Sequence, residues 1–393
     1  MDREPIVTSR LDTDFYKFTM SRVIQARYPS TVVEWAWKNR SKDIDPTPFK
    51  EEIEWEINQL EHLRFQKEEL EYLGDIRFLN DVGYLEYLRN HRLYPKDHVN
   101  VSIQDGKLSI RCKASWATST WYELHVLPIV SEVWTRNTYP NPDFTEAKSI
   151  LENNIKLVNS NYLKWSCFGT RRRFSKAWQH YVTEQYVNQM RGNFMGTSNV
   201  FLAKKHGVSP IGTMAHEMQM VMQAIVRVAD SVETALESWV QVFRGDLGIA
   251  LTDNLGVDFF LKICDLYFTK LFDGFRHDSG DPYQWGEKII AHIREHRINP
   301  LNKDAVFTDG NSFSGAVELK NYFTSRINTR FGIGTKSTND LGSKYPPLQH
   351  VMKPVKSNGY DIAKVSDSSG KEMCESPEHE AWVRHVIKEK LKG

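Results

Sequence analysis

The sequence predicts an α/β protein: an irregular (β/α) barrel with a flanking α+β domain built from both ends of the chain. Between about residues 140 and 340, short apolar strands alternate with helical patterns, as in parallel strands joined by helices. The first ~130 residues mix helices with a hairpin, and the tail is β-rich again. We therefore expect a barrel over 139–344 and a second domain formed by 1–138 and 345–393.

The flanking segments carry the clearest strand signals. Residues 32–38, VVEWAWK, alternate as a half-buried strand does, and residues 47–73 are rich in Glu and Leu, which indicates helices. Residues 99–114 predict a hairpin that turns at Asp105-Gly106, because both residue types tolerate positive φ. The tail predicts a second hairpin at Asn358-Gly359, and we expect the tail to pack on the N-terminal module.

The barrel segment contains six or seven strand–loop–helix units, which favours a closed barrel over an open sheet. Helices are predicted to begin at Arg171 and Ala215, and Asp230 with Glu233 resembles a capping box. The strands and their loops are LKWSCFGT, FMGTSN, VSPIGTM, LGIALTD, LFDGFRHDSGDP, AVFTDGNS and INTRFGIGTKSTND.

Composition narrows the function classes. Lys and Arg total 51 against 50 Asp and Glu, so no overall field draws the chain to nucleic acid or a membrane surface. No uncharged apolar run approaches the ~20 residues of a membrane span, and MDREPIVTSR lacks a signal-peptide core. The four cysteines are widely spaced without a CxxC, which favours reduced thiols in a cytoplasmic protein.

The predicted strand ends share one chemistry. In parallel-strand folds the carboxyl ends of the strands form the active face. Here these ends are rich in Gly, Ser and Thr, which let backbone N–H groups approach oxyanions, together with Arg, Lys and Asp. Each motif alone is weak, but their recurrence predicts a substrate with several phosphates and hydroxyls.

Three candidate motifs stand out. FGTRRRFS places Arg171, Arg172 and Arg173 where an anion would offset their charge, and Phe168 precedes them as a possible stacking ring. FRHDSGDP offers Asp278 as the functional carboxylate, whereas Asp281-Pro282 is typical of a helix start. GIGTKST lacks the glycine spacing of a P-loop and predicts a phosphate-binding nest.

His216, in IGTMAHEMQM, has several possible roles. The HExxH zinc motif fails because Met220 stands where the second histidine is required. At a helix N-terminus the dipole disfavours imidazolium and stabilises an attached phosphate, so a phosphate carrier is possible beside a plain structural role. Glu217 either orients the ring or complements the dipole, and Met218, Met222, Ile225 and Val226 predict a buried stripe.

Taken together, these motifs resemble the nicotinate phosphoribosyltransferases, a family of type II phosphoribosyltransferases. The resemblance runs in order from about residue 11 to 340 and is carried by TDFYKFTM, FGTRRRFS, MGTSN, GTMAHE, FRHDSGDP, FTDGNS and FGIGTKST. It implies an irregular barrel with a flanking domain. It also implies the condensation of nicotinate with 5-phosphoribosyl 1-diphosphate, driven by ATP through a phosphohistidine at His216. Mg²⁺ is expected as cofactor, and a homodimer as a possible assembly.

The resemblance also assigns further residues. It implies that Tyr16 and Phe168 cover the two faces of the pyridine ring, and that Arg171 pairs with the nicotinate carboxylate or a phosphate. Arg276 and Asp278 match positions beside the ribose and the reacting centre. The residues matched to phosphate binding are Asp309, Gly310, Gly334, Thr335 and Lys336.

One position separates the acid-using family from its amide-using relatives. Those relatives carry aspartate directly after a Gly-Thr pair, whereas here Thr197 is followed by Ser198. A serine hydroxyl can donate to a carboxylate that an aspartate would repel, which favours nicotinate. The alternatives are a nicotinamide-using enzyme, a shorter quinolinate-using sibling that lacks the GTMAHE histidine, a non-catalytic phosphosugar-binding barrel and a purely structural scaffold.

Overall fold

The structure is a computed structural model that describes residues 4–392, so residues 1–3 and 393 of the predicted flanking domain lie outside it. Its strands form two sheets, one antiparallel and one parallel. The strands are β1 Val32–Asn39, β2 Val99–Gln104, β3 Lys107–Ser115, β4 Trp165–Cys167, β5 Phe194–Thr197, β6 Ile249–Leu251, β7 Gly274–His277, β8 Asp304–Phe307, β9 Asn328–Ile333, β10 His350–Ser357 and β11 Tyr360–Asp361.

Helices pack against the strands of both sheets. The helices are α1 Phe15–Arg27, α2 Lys50–Gln59, α3 Lys67–Asp75, α4 Val82–Asn90, α5 Pro95–His98, α6 Trp116–Ser119, α7 Glu123–Thr138, α8 Thr145–Ser160, α9 Lys176–Gln189, α10 Val200–His206, α11 His216–Met222, α12 Ser231–Phe243, α13 Val257–Ile263, α14 Leu266–Leu271, α15 Pro282–Glu295, α16 Phe313–Phe323, α17 Thr335–Thr338 and α18 Pro377–Lys392. Short 3₁₀ turns occupy Thr47–Phe49, Leu60–His62, Thr170–Arg172, Val228–Asp230 and Pro300–Asn302.

The antiparallel sheet joins the two ends of the chain. Its strand order is β11-β10-β1-β3-β2, so the tail strand β10 pairs with β1. Both predicted hairpins are confirmed: Asp105-Gly106 and Asn358-Gly359 make the turns, all four residues with positive φ. The predicted packing of the tail on the N-terminal module is therefore present as direct strand pairing.

The parallel sheet forms the barrel, in the order β5-β4-β9-β8-β7-β6. The segment before α11 lies between the two end strands, because Ile211 N–H donates to the Thr197 carbonyl and the Thr213 hydroxyl donates to the Ile249 carbonyl. The strand predicted for VSPIGTM is wrong, since this segment makes only an isolated bridge at Pro210. Proline has no N–H to donate to a ladder, which interrupts the pairing. The result is the predicted barrel, in which the irregular segment before α11 takes the place of one strand.

Three details of the helices differ from the predictions. Helix α9 begins at Lys176 rather than Arg171, because the Ser175 hydroxyl caps it by accepting from Trp178 N–H. Helix α12 begins at Ser231 as expected, but its predicted capping box is absent: the Asp230 carboxylate accepts from Arg227 instead.

The predicted methionine stripe differs as well. Helix α11 ends at Met222 with every residue buried, and Ile225 and Val226 lie beyond it, half-buried. A helix buried on all sides has no separate apolar stripe. By contrast, the helix start predicted at Asp281-Pro282 is confirmed, with the Asp281 carboxylate accepting from Gln284 N–H at 2.8 Å.

Two features of the described residues bear on the composition arguments. No helix within residues 4–392 is long and apolar enough to cross a membrane. The four cysteines are unpaired, with Cys112, Cys167 and Cys264 buried and Cys374 half-buried.

Candidate active site

Three polar side chains from successive barrel units meet at the carboxyl end of the parallel sheet. His216 is the first residue of α11, Asp253 follows β6, and Asp278 follows β7. The His216 Nε2 atom lies 2.9 Å from Asp253 Oδ1, and its Nδ1 atom lies 3.7 Å from Asp278 Oδ2. The imidazole is buried between the two carboxylates.

Asp253 binds groups from two further segments. Its Oδ2 atom accepts from the Ser279 hydroxyl at 2.5 Å and from the Lys364 ammonium at 3.0 Å. Burial alone would raise the pKa of this carboxyl, but the hydrogen bonds from His216 and Ser279 and the positive charge of Lys364 hold the pKa well below its usual value. Asp253 is therefore an ionised, fully buried carboxylate.

An ionised Asp253 fixes the tautomer of His216. A carboxylate only accepts hydrogen bonds, so the Nε2 atom at 2.9 Å must carry the proton. Burial, together with the nearby Lys364 ammonium, lowers the pKa of His216 to about 4, so the ring is neutral near pH 7. The Nδ1 atom then holds a free lone pair on the side of Asp278, as a nucleophile requires.

Asp278 contacts Arg276, on strand β7, and Thr308, just after strand β8. Its Oδ1 atom accepts from the Thr308 hydroxyl at 2.9 Å and lies 3.6 Å from Arg276 Nη2. Although burial opposes ionisation, the positive charge of Arg276 holds the pKa of Asp278 below its usual range. Arg276 also donates to the Met214 carbonyl, which ties this arginine to the loop before α11.

Of these groups, His216, Arg276 and Asp278 line one cavity of about 810 Å³ inside the barrel. The Phe168 ring lies against Gly332, where a Cβ atom would stand 2.4 Å from the ring, so glycine is required for the ring to take this place. The cavity brings together these predicted site residues: Tyr16, Phe168, Arg171, His216, Arg276, Asp278 and Gly334.

The three consecutive arginines have different surroundings. Arg173 is buried in an ion pair with Asp12 at 2.7 Å, and Arg172 donates to the His350 carbonyl. Arg171 lines the cavity, and no carboxylate among residues 4–392 forms an ion pair with its guanidinium. Arg171 is therefore the arginine of this motif that is placed to meet a ligand.

Thr197 and Ser198 are fully buried and do not belong to the described cavity lining. The Ser198 hydroxyl donates to Asp14 Oδ1 at 2.7 Å, so it already serves a carboxylate of the protein itself. Asp14 lines the cavity, and burial raises the pKa of its carboxyl. Of this pair, Asp14 is therefore the residue that faces the cavity.

Four residues predicted to bind phosphate lie outside the described cavity lining. Asp309 pairs with Lys371, Gly310 turns the chain with φ of 58°, and Thr335 begins the short helix α17. The Lys336 ammonium pairs with Asp340 at 3.0 Å on a half-exposed surface. Gly334 is the member of the predicted nest that reaches the cavity.

Sequence reasoning missed the lysines that the tail contributes. Lys364 binds Asp253, Lys371 donates to the Asp278 carbonyl, and Lys353 on β10 lines the cavity. Burial lowers the pKa of Lys353 to about 8, with Arg171 and Lys364 nearby. No motif surrounds these lysines in the sequence. The pairing of β10 with β1 places Lys353, and further along the tail Ala363 and Val365 donate to Gln223 and Asn254 of the barrel segment.

Two other assignments change around His216. Asp253 belongs to the strand-end motif LTDN, which the sequence marked without giving that aspartate a role. Glu217 does not orient the ring, because its carboxylate accepts from Lys17 at 2.7 Å and from the Trp116 indole at 2.6 Å. The residue that orients His216 is Asp253.

Fold and site together define a class: a barrel enzyme that handles phosphorylated substrates, with a neutral imidazole and a cavity-lining arginine, Arg171, at its strand ends. The family model described as the nicotinate phosphoribosyltransferase (NAPRTase) family matches residues 163–391, and the model of its N-terminal domain matches residues 11–131. The chain belongs to the nicotinate phosphoribosyltransferase family.

Individual relatives agree over nearly the whole chain. A nicotinate phosphoribosyltransferase of Bordetella pertussis is 44% identical over 97% of this chain and 95% of its own length. That of Chromobacterium violaceum is 44% identical over 98% of both. The crystal structure of the Porphyromonas gingivalis nicotinate phosphoribosyltransferase superposes with a TM-score of 0.93 at 32% identity, covering 98% of this chain and 100% of that one.

The protonation state of His216 is directly measurable. In ¹⁵N-histidine NMR spectra at pH 7, we expect a neutral ring that titrates near pH 4, because burial disfavours the imidazolium form. We expect its proton on Nε2, because Asp253 accepts a hydrogen bond from that nitrogen. The spectrum of His216→Gln assigns the signal. An imidazolium at pH 7, or a proton on Nδ1, would contradict the tautomer.

Proposed function

We propose that the chain joins nicotinate to 5-phosphoribosyl 1-diphosphate, forming nicotinate mononucleotide and diphosphate for NAD biosynthesis. Membership of the nicotinate phosphoribosyltransferase family indicates this reaction, and the residues that line the cavity support it. The observation that most supports the proposed reaction is a single cavity lined by Tyr16, Phe168, Arg171 and Asp278. Two aromatic rings, an unpaired cation and an ionised carboxylate are what a pyridine acid and a reacting sugar require.

The transfer step needs little protein acid–base chemistry. The pyridine nitrogen attacks C1 of the sugar with its own lone pair, while the bond from C1 to the diphosphate oxygen breaks and the leaving group keeps that electron pair. Positive charge develops on the sugar, and the Asp278 carboxylate stabilises it. Arg171 binds the nicotinate carboxylate, and Tyr16 and Phe168 hold the ring.

The leaving diphosphate requires positive charge. Arg276 and Lys353 line the cavity and supply it, and Lys371 lies at the backbone of Asp278. Mg²⁺ prefers oxygen ligands, and the carboxylates of Asp253 and Asp278 fit that preference. One oxygen of each carboxylate and one ring nitrogen of His216 all lie within 4.8 Å of one another. Bound there, the ion would neutralise charge on the phosphates.

We further propose that His216 carries a phosphoryl group from ATP. The Nδ1 lone pair attacks the γ-phosphorus, the bond to the β–γ bridging oxygen breaks, and ADP leaves with that electron pair. The Nε2 proton stays in its hydrogen bond to Asp253, whose negative charge stabilises the positive phosphoimidazole.

A homodimer and a cytoplasmic location stay predictions.

Substrate choice tests the first proposal. We expect nicotinate to be turned over in clear preference to nicotinamide, because the Arg171 guanidinium favours a carboxylate. Arg171→Gln should lower kcat/KM for nicotinate by about 10–100-fold, the loss of one hydrogen bond to a charged group, with little change for nicotinamide. Arg172→Gln is the matched control, since Arg172 points to the His350 carbonyl. A preference for the amide would refute the assignment.

Labelling tests the phosphohistidine. Incubation with γ-labelled ATP should leave acid-labile label on the natural protein and none on His216→Ala. The control His180→Ala, on the outer helix α9, should be labelled normally. Label that persists on His216→Ala, or natural protein that takes up none, counts against phosphoryl transfer to this residue.

A further inference from the structure

The barrel cavity continues beyond the catalytic groups to the opposite end of the strands. Its lining includes residues at the amino ends: Lys164 before β4, Asp273 before β7, Asp304 at the start of β8 and Asn328 at the start of β9. At about 3.3 Å per residue, the four residues of β8 span roughly 13 Å. One continuous cavity therefore runs the full, short length of the barrel.

The alternation of burial along the strands supports the same conclusion. On β8, Ala305 and Phe307 point outward to the helices and are fully buried, whereas Val306 lines the cavity and is only half-buried. On β9, Phe331 is buried, but the Arg330 side chain is 55% exposed. Barrel interiors are normally packed with bulky side chains, so here solvent reaches positions that such a core would fill.

Two small residues stand side by side on neighbouring strands of the barrel. Ser166 on β4 stands in register with Gly332 on β9, and both line the cavity. The neighbouring lining residues Val306, Ile249 and Met195 are apolar. These apolar groups suit a flat ring better than a group with several phosphates, whose desolvation is costly.

The rear opening of this passage carries charge. Arg330 pairs with Asp304 at 2.6 Å, and Lys164 and Asp273 also line it. The catalytic residues that would hold the sugar diphosphate and the phosphorylated His216 stand at the other end, so both of these groups would fill the front opening. Lys164 forms no ion pair among residues 4–392, so its ammonium offers a carboxylate a first contact.

We propose that the barrel interior is a second entrance, by which the small aromatic acid substrate reaches the site while the sugar diphosphate occupies the carboxyl-end opening. This inference rests on the proposed function. It adds a route and a set of residues remote from the chemistry: Lys164, Ser166, Val306, Asn328 and Arg330.

A reversible plug tests the route. In a Cys374→Ser background, which leaves only buried native thiols, Asn328→Cys places a thiol at the rear opening for a bulky aromatic thiosulfonate. Labelling should lower kcat/KM for nicotinate by about tenfold or more, leave kcat/KM for the sugar diphosphate at saturating nicotinate unchanged, and be reversed by reductant. The matched control is Val82→Cys, labelled on the outer surface at an 84% exposed position.

The outcomes separate the route from the reaction. An unchanged kcat/KM for nicotinate with the thiol shown by mass spectrometry to be fully modified would overturn the second entrance. An equal fall for both substrates would also count against it, since that result indicates a distorted site. If the unmodified natural protein fails to turn over nicotinate, the proposed function itself fails, before the plug is applied.

Discussion

Asp253 is a buried carboxylate that binds groups from three separate parts of the chain: the ring of His216, the hydroxyl of Ser279 and the ammonium of Lys364. A buried charge without partners would cost several kcal/mol, so these contacts must form together. Because Lys364 comes from the tail, the tail has to return to the barrel for the site to exist. The pairing of β10 with β1 makes that return part of the fold.

The same arrangement prepares the imidazole for chemistry. Asp253 takes the Nε2 proton, burial keeps the ring neutral, and Nδ1 faces Asp278 and the cavity. The barrel that carries these groups has a cavity inside, and outside its strands Phe307 stacks on Phe323 of helix α16. Stability thus comes from the strand–helix layer, which leaves the interior free for substrates.

Much of the fold and part of the candidate site were predictable from local sequence. Hairpin turns, strand ends and the positions of His216 and Asp278 follow from short patterns, because turn residues and strand-end loops carry their own signals. The contacts of Asp253 were not predictable in the same way, since this residue lies 37 residues from His216 and 111 residues from Lys364. Ser198 shows the limit of motif reading: its type suggested a ligand contact, but its hydroxyl meets Asp14 inside the protein.

The central claim is that Asp253 directs phosphoryl transfer to one nitrogen of His216, and the position of the phosphorus on the ring tests it most directly. Protein treated with ATP and labelled with ¹⁵N-histidine can be analysed by ³¹P–¹⁵N NMR, which identifies the bonded nitrogen. The account predicts phosphorus on Nδ1, with the Nε2 proton retained at Asp253. Phosphorus on Nε2 would contradict it, because that nitrogen would then have lost its hydrogen bond to the buried carboxylate.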